Sequence, residues 1–154
     1  MGVNMQSEEI AVFWRFIVES EDKLVELLHG LEGDDLNWRP LGNANSLYVL
    51  ATHTMGNIEQ NVFGGICDEP FQRDRDAEFL AQGASWKTIE GRWRELRCRI
   101  SECIKDLPQN RLERRKESSL GILTGRETLM VVARHAAEHL GHAEITHDLL
   151  KQRP

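Results

Sequence analysis

Residues 124–152, "TGRETLMVVARHAAEHLGHAEITHDLLKQ", decide how the chain folds. Leu129, Val132, Ala136, Leu140, Ala143 and Leu150 recur at three-, four- and seven-residue steps, which puts them on one face of a helix. Thr124 stands where an N-cap hydroxyl is wanted, so the helix is expected to open there and run to about Gln152. A second stripe lies about a quarter turn from the first and carries Thr128, Val131, His135, His139, His142, Thr146 and Leu149. At ~100° per residue, His135, His139 and His142 fall within ~60° of one another, with Glu138 at the rim of that sector. Three of the six histidines therefore border a core. His147 leaves the sector and is expected at the surface, as is His29.

Imidazoles beside a core are costly unless each finds a hydrogen bond or a ligand. A divalent metal satisfies that need, and histidines four apart on a helix can aim two ring nitrogens at one ion. Zinc and nickel both suit imidazole donors. The competing reading is a polar helix face bonded to water and carbonyls. A metal site needs a third donor from another element, because bundle sites are built from facing helices.

Three more helical patterns precede this one. Between Ser7 and Leu31 the apolar residues Ile10, Phe13, Trp14, Ile17, Val18, Leu24, Val25, Leu27 and Leu28 recur with helical spacing, with Gly30 and Gly33 at the end. "SLYVLATHTMGNIEQNVFGG", residues 46–65, is apolar, with Asn45 or Ser46 as its cap and His53 in its middle. Polar residues Ser46, Asn57 and Gln60 form a seam with His53, which makes that histidine the candidate third donor. A third helix runs from Trp86 to Leu107, opened by Ser85 and ended by Pro108. Residues 66–84 read as a long loop with one helical turn near Ala77 to Ala81. "QNRLERRKESSLGILTG", residues 109–125, reads as a basic ordered loop with some extended character. The expected fold is an all-α four-helix bundle, one domain over 1–154.

Bulk properties narrow the function classes. The formal charge of -6 argues against a nucleic-acid partner. No run approaches the ~18 apolar residues of a membrane span, so no membrane partner is expected. The N-terminus lacks a signal peptide's basic start and apolar run, and Gln6 spoils the myristoylation pattern that begins at Gly2. A cytoplasmic protein is expected. Cys67, Cys98 and Cys103 are odd in number and irregularly spaced, so no disulfide framework is expected. Cys98 and Cys103 diverge by about 140° on their helix and should not bridge.

"LNWRPLGNANSLYVLATHTMGNIEQNVFGG" and "HAAEHLGHAE" together resemble the DinB/YfiT-like superfamily, and the resemblance covers most of the chain. It implies a four-helix bundle in which one histidine of the second helix and two of the last hold zinc or nickel. His53 matches the second-helix position. On the last helix the resemblance leaves two registers, His135/His139 or Glu138/His142, because Ala143 and Glu144 replace the adjacent histidine found in many relatives. The first register gives three imidazoles, the commoner family set. Some relatives transfer low-molecular-weight thiols such as bacillithiol or mycothiol to small electrophiles, and one isomerises maleylpyruvate. The resemblance thus implies a metal-dependent enzyme with a small-molecule substrate and a thiol as co-substrate. The alternative is a non-enzymatic, homodimeric metal- or ligand-binding bundle.

Overall fold

The computed structural model describes residues 5–108 and 110–153, with side chains from Glu8 onward. Gly2 and the side chain of Ser7 lie outside the described residues. Four long helices form the bundle: α1 (Met5–Leu27), α3 (Leu47–Ile58), α5 (Trp86–Lys105) and α6 (Gly125–Lys151). Two short helices, α2 (Gly33–Asn37) and α4 (Arg75–Leu80), precede α3 and α5. A hairpin of β1 (Arg115–Ser118) and β2 (Gly121–Thr124) leads into α6.

Local chemistry sets most helix starts. Ser46 accepts from the Val49 amide, Asp74 from that of Ala77, and Ser85 from that of Lys87. Thr124 and Glu127 complete a reciprocal capping box at α6, which fixes its first turn. α1 begins at Met5, ahead of Ser7 where the apolar pattern was read to start, and is followed by a turn ending at Gly30, whose φ of 80° suits glycine.

The apolar stripes meet as the periodicities require. Ile10, Ile17, Leu24 and Leu28 of the first segment pack with Leu47, Leu50, Met55 and Ile58 of α3. Ile89, Trp93, Leu96 and Ile100 of α5 and Leu129, Val132 and Ala143 of α6 complete the core. Trp14 and Trp93 tilt together at 6.2 Å, and their indole N–H groups donate to Ser101 and Asp22. Those bonds satisfy the polar edge of each ring while its face is buried. Among the described residues, no helix is long and apolar enough to cross a membrane.

The structure departs from the sequence reading in several places, the short α2 among them. The second helix changes pitch after Ile58 and continues as a π-helix over Glu59–Ile66. Residues 115–124 pair as an antiparallel hairpin, Arg115 opposite Thr124 and Ser118 opposite Gly121. The cysteine expectation needs correction: Cys67 and Cys103 form a disulfide, with Cα atoms 6.1 Å apart, while Cys98 is free and exposed. Parity of the cysteine count said nothing about one tertiary pair, and the end of the π-helix happens to meet the end of α5 at bridging distance.

Candidate metal centre

His53 lies at the middle of α3, where the helix is buried on nearly every side. A polar ring there must be matched by partners from other elements. α6 runs alongside and presents its histidine stripe. His53 Nε2 stands 3.1 Å from His135 Nε2, which is itself 3.1 Å from His139 Nε2. One ring nitrogen from each of the three lies within 4.8 Å of the others. Donors 2.0–2.1 Å from one tetrahedral ion stand about 3.3 Å apart, close to these separations.

The other face of His53 is fixed. Its Nδ1 is 2.9 Å from Glu78 Oε2, and both side chains are buried. Arg73 donates to both oxygens of Glu78, at 2.7 and 2.9 Å, and reaches Gln60 with its remaining nitrogen. The carboxylate comes this close because residue 56 is glycine; a Cβ there would collide with Glu78. A carboxylate accepts and does not donate, so His53 carries its proton on Nδ1 and turns a lone pair inward from Nε2. Carboxylates orient metal-binding imidazoles in this way.

The three inward nitrogens cannot satisfy each other. One proton on His135 Nε2 serves one of its two short contacts well, and the second contact then sets nitrogens together without an N–H between them. The Nδ1 of His139, on the far side of the ring from that contact, is buried and has no hydrogen-bond partner among the described residues. A divalent cation would accept all three lone pairs at once, so the donor set fits such an ion. Burial also keeps the rings neutral, the form that binds metal. It lowers the His53 pKa against the opposing pull of Glu78. Desolvation, with help from the neighbouring rings, brings His135 to about 3 and His139 to about 4.

These shifts predict a pH profile for chelator-stripped protein. A histidine with a lowered folded pKa contributes fully above its unfolded value, near 6.5, and that contribution falls as the unfolded chain takes up protons below it. Glu21 acts oppositely. Complete burial raises it to about 8, against the hydrogen bond from Thr54. The folded state keeps that proton while the unfolded chain loses it, so stability declines as pH rises from about 4.5 to 8. Three histidines outweigh one carboxyl below 6.5, and only the carboxyl acts above. Urea unfolding of stripped protein at pH 5, 6.5 and 8 is expected to give the highest midpoint at 6.5. A midpoint that rises steadily toward pH 5 would contradict the neutral-histidine assignment.

The other sequence candidates stand apart from the trio. His142 is exposed, one turn further along α6, with its ring 5.4 Å from that of His139. Glu138 is exposed and pairs with Arg134 at 3.4 Å. His29 is exposed as expected and lies tilted against Trp86, while His147 is half-buried. Outside that set, Arg39 donates to the carbonyls of Ala44 and Phe79, so it locks the turn before α3. Sequence reasoning missed Glu78 and Arg73 as supporting groups; it put Gln60 in the polar seam with His53 without its bond from Arg73. Only Gly56, an unexplained glycine three residues after His53, hinted that something approached there.

A helical bundle with a three-histidine group, one ring buried and two half-buried, facing inward between two helices defines the class. The chain belongs to the DinB superfamily, whose profile matches residues 17–143. No curated protein matches it.

Proposed function

We propose that His53, His135 and His139 bind one divalent ion, zinc or nickel, and that the protein is an enzyme joining a low-molecular-weight thiol to a small electrophile. The convergence of three imidazole nitrogens carries the reading. Three protein ligands leave room for a substrate donor, and a bound divalent ion would favour the thiolate form of a thiol there. Glu78 holds His53 in the binding tautomer, and Arg73 holds Glu78 in place through both carboxylate oxygens. His142, exposed beside His139, is positioned to take the thiol proton. A cavity of about 290 Å³ lined by Asn43, Asn45, Leu50, His142, Ile145 and Thr146 offers space for a small molecule on that side. In the transfer, thiol sulfur bonds to the electrophilic carbon and the leaving group departs with its electron pair.

The cytoplasm is the proposed compartment, and the Cys67–Cys103 bridge bears on it. Cytosolic conditions keep most thiols reduced. Alkylation of free thiols at the moment of lysis would decide whether the bridge exists there.

Activity is tested with metal-loaded protein, a panel of small thiols and a panel of electrophiles. Thioether formation should require the ion and fall by at least about a hundredfold in His142→Ala, the scale of a lost general base. A folded, loaded sample inert across both panels would favour a non-enzymatic binding bundle.

A further inference from the structure

Residues 111–116, "RLERRK", place four cationic side chains and one carboxylate in six positions of an otherwise acidic protein. Three of the four turn to the same spot. Arg111, Arg114 and Lys116 all bond the carboxylate of Asp68, Arg114 at 2.9 Å and Lys116 at 3.3 Å to Oδ1. One carboxylate thus meets three cations, and their hydrogen bonds hold Asp68 far below the usual carboxylate pKa. Arg111 is buried, so its charge is held in place by the fold and not by solvent.

This group forms one side of a cavity of about 120 Å³, distinct from the histidine centre. Gly64 and the ring of Phe71 form another side, and a Cβ at Gly64 would collide with that ring. Gln60 and Thr128 supply neutral polar groups, and Glu117 in the lining adds a carboxylate to the one that Asp68 holds against the cations. Even with both carboxylates counted, three cations leave an excess of positive charge. Arginine forks and an ammonium beside an aromatic wall suit an oxyanion carried on a small organic molecule.

We infer that the cavity between the π-helix, the β-hairpin and the start of α6 is a recognition site for the carboxylate or phosphate group of a small molecule. Asp68 and the carbonyls of Gly64 and Gly65 occupy part of the donor array, Gly65 accepting from Arg114 and Gly64 from Lys116; a ligand oxyanion takes the donors they leave, and Asp68 sets the affinity. Gln60 lines the cavity and accepts from Arg73, which clamps Glu78 against His53, so the pocket is joined to the histidine centre by hydrogen bonds. The inference does not depend on the metal.

Asp68 has a φ of 58°, a conformation that asparagine tolerates well, so Asp68→Asn removes the charge without forcing the turn. Lys116 is half-exposed and can be changed to Gln with the bundle intact. The protein is titrated with inorganic phosphate and with succinate at constant ionic strength, and backbone amide shifts are followed by NMR. The expected result is saturable binding of at least one probe, with shifts around residues 64–65 and 111–118. Lys116→Gln should weaken binding and Asp68→Asn tighten it, each by about tenfold, the scale of one charge-assisted contact. The stronger probe identifies the oxyanion as carboxylate or phosphate. His53→Ala should bind as the parent does, which separates this pocket from the histidine centre. No saturable binding by the parent would overturn the inference. So would binding confined to Asp68→Asn, because Asp68 would then be the permanent occupant. Parent binding that is indifferent to Lys116→Gln, or lost with His53→Ala, would place the anion elsewhere and overturn it as well.

Discussion

Adding zinc or nickel to chelator-stripped protein, at a thousand times the dissociation constant, should raise the melting temperature by roughly 8–16 °C. An ion that binds only the native state stabilises it by about 4.1 kcal/mol at that ratio. One kcal/mol corresponds to about 2–4 °C for a domain of this size. His53→Ala should abolish the shift, because it removes the one donor that α3 contributes and leaves two on α6. Glu78→Gln should retain a smaller shift, since loss of an orienting carboxylate weakens metal affinity about 10–100-fold without deleting a ligand. A full shift in His53→Ala would mean that the ion sits elsewhere.

Reduction of the Cys67–Cys103 bridge should have an effect of similar size and independent origin. The bridge closes 36 residues, from the end of the π-helix to the end of α5. Chain-entropy arguments give about 4 kcal/mol for a loop of that length. Stripped protein treated with a phosphine reductant should therefore melt roughly 8–16 °C lower, and Cys103→Ser should melt at the reduced temperature without any reductant. Equal melting temperatures before and after reduction would show that the loop is already constrained by its packing. Cys98→Ser should change neither result, because that side chain is exposed and unpaired.

The contrast between what was legible in the sequence and what was not follows the range of the interactions. α6 was legible because its stripe repeats within one helix, and its Thr124 cap is three residues from the Glu127 that completes it. His53 could be singled out as a polar side chain in an apolar helix, and the i, i+4 spacing of His135 and His139 placed both on one face. Glu78 was hidden because its role depends on a contact 25 residues away in sequence, made from a segment that looked like a loop. The disulfide was hidden for the same reason. The π-helix was hidden because an apolar run reads much the same at either pitch, and α2 because five residues with one buried leucine carry no periodicity. Local patterning revealed the elements; which of them touch was settled by packing across the bundle.

The most direct test of the histidine centre is metal stoichiometry after stripping and reloading, measured by elemental analysis on the parent and three variants. One zinc or nickel per chain is expected for the parent and for His142→Ala, and loss of the ion for His135→Ala and His139→Ala. Loss in His142→Ala with retention in His135→Ala would contradict the trio and move the ion to the Glu138/His142 register.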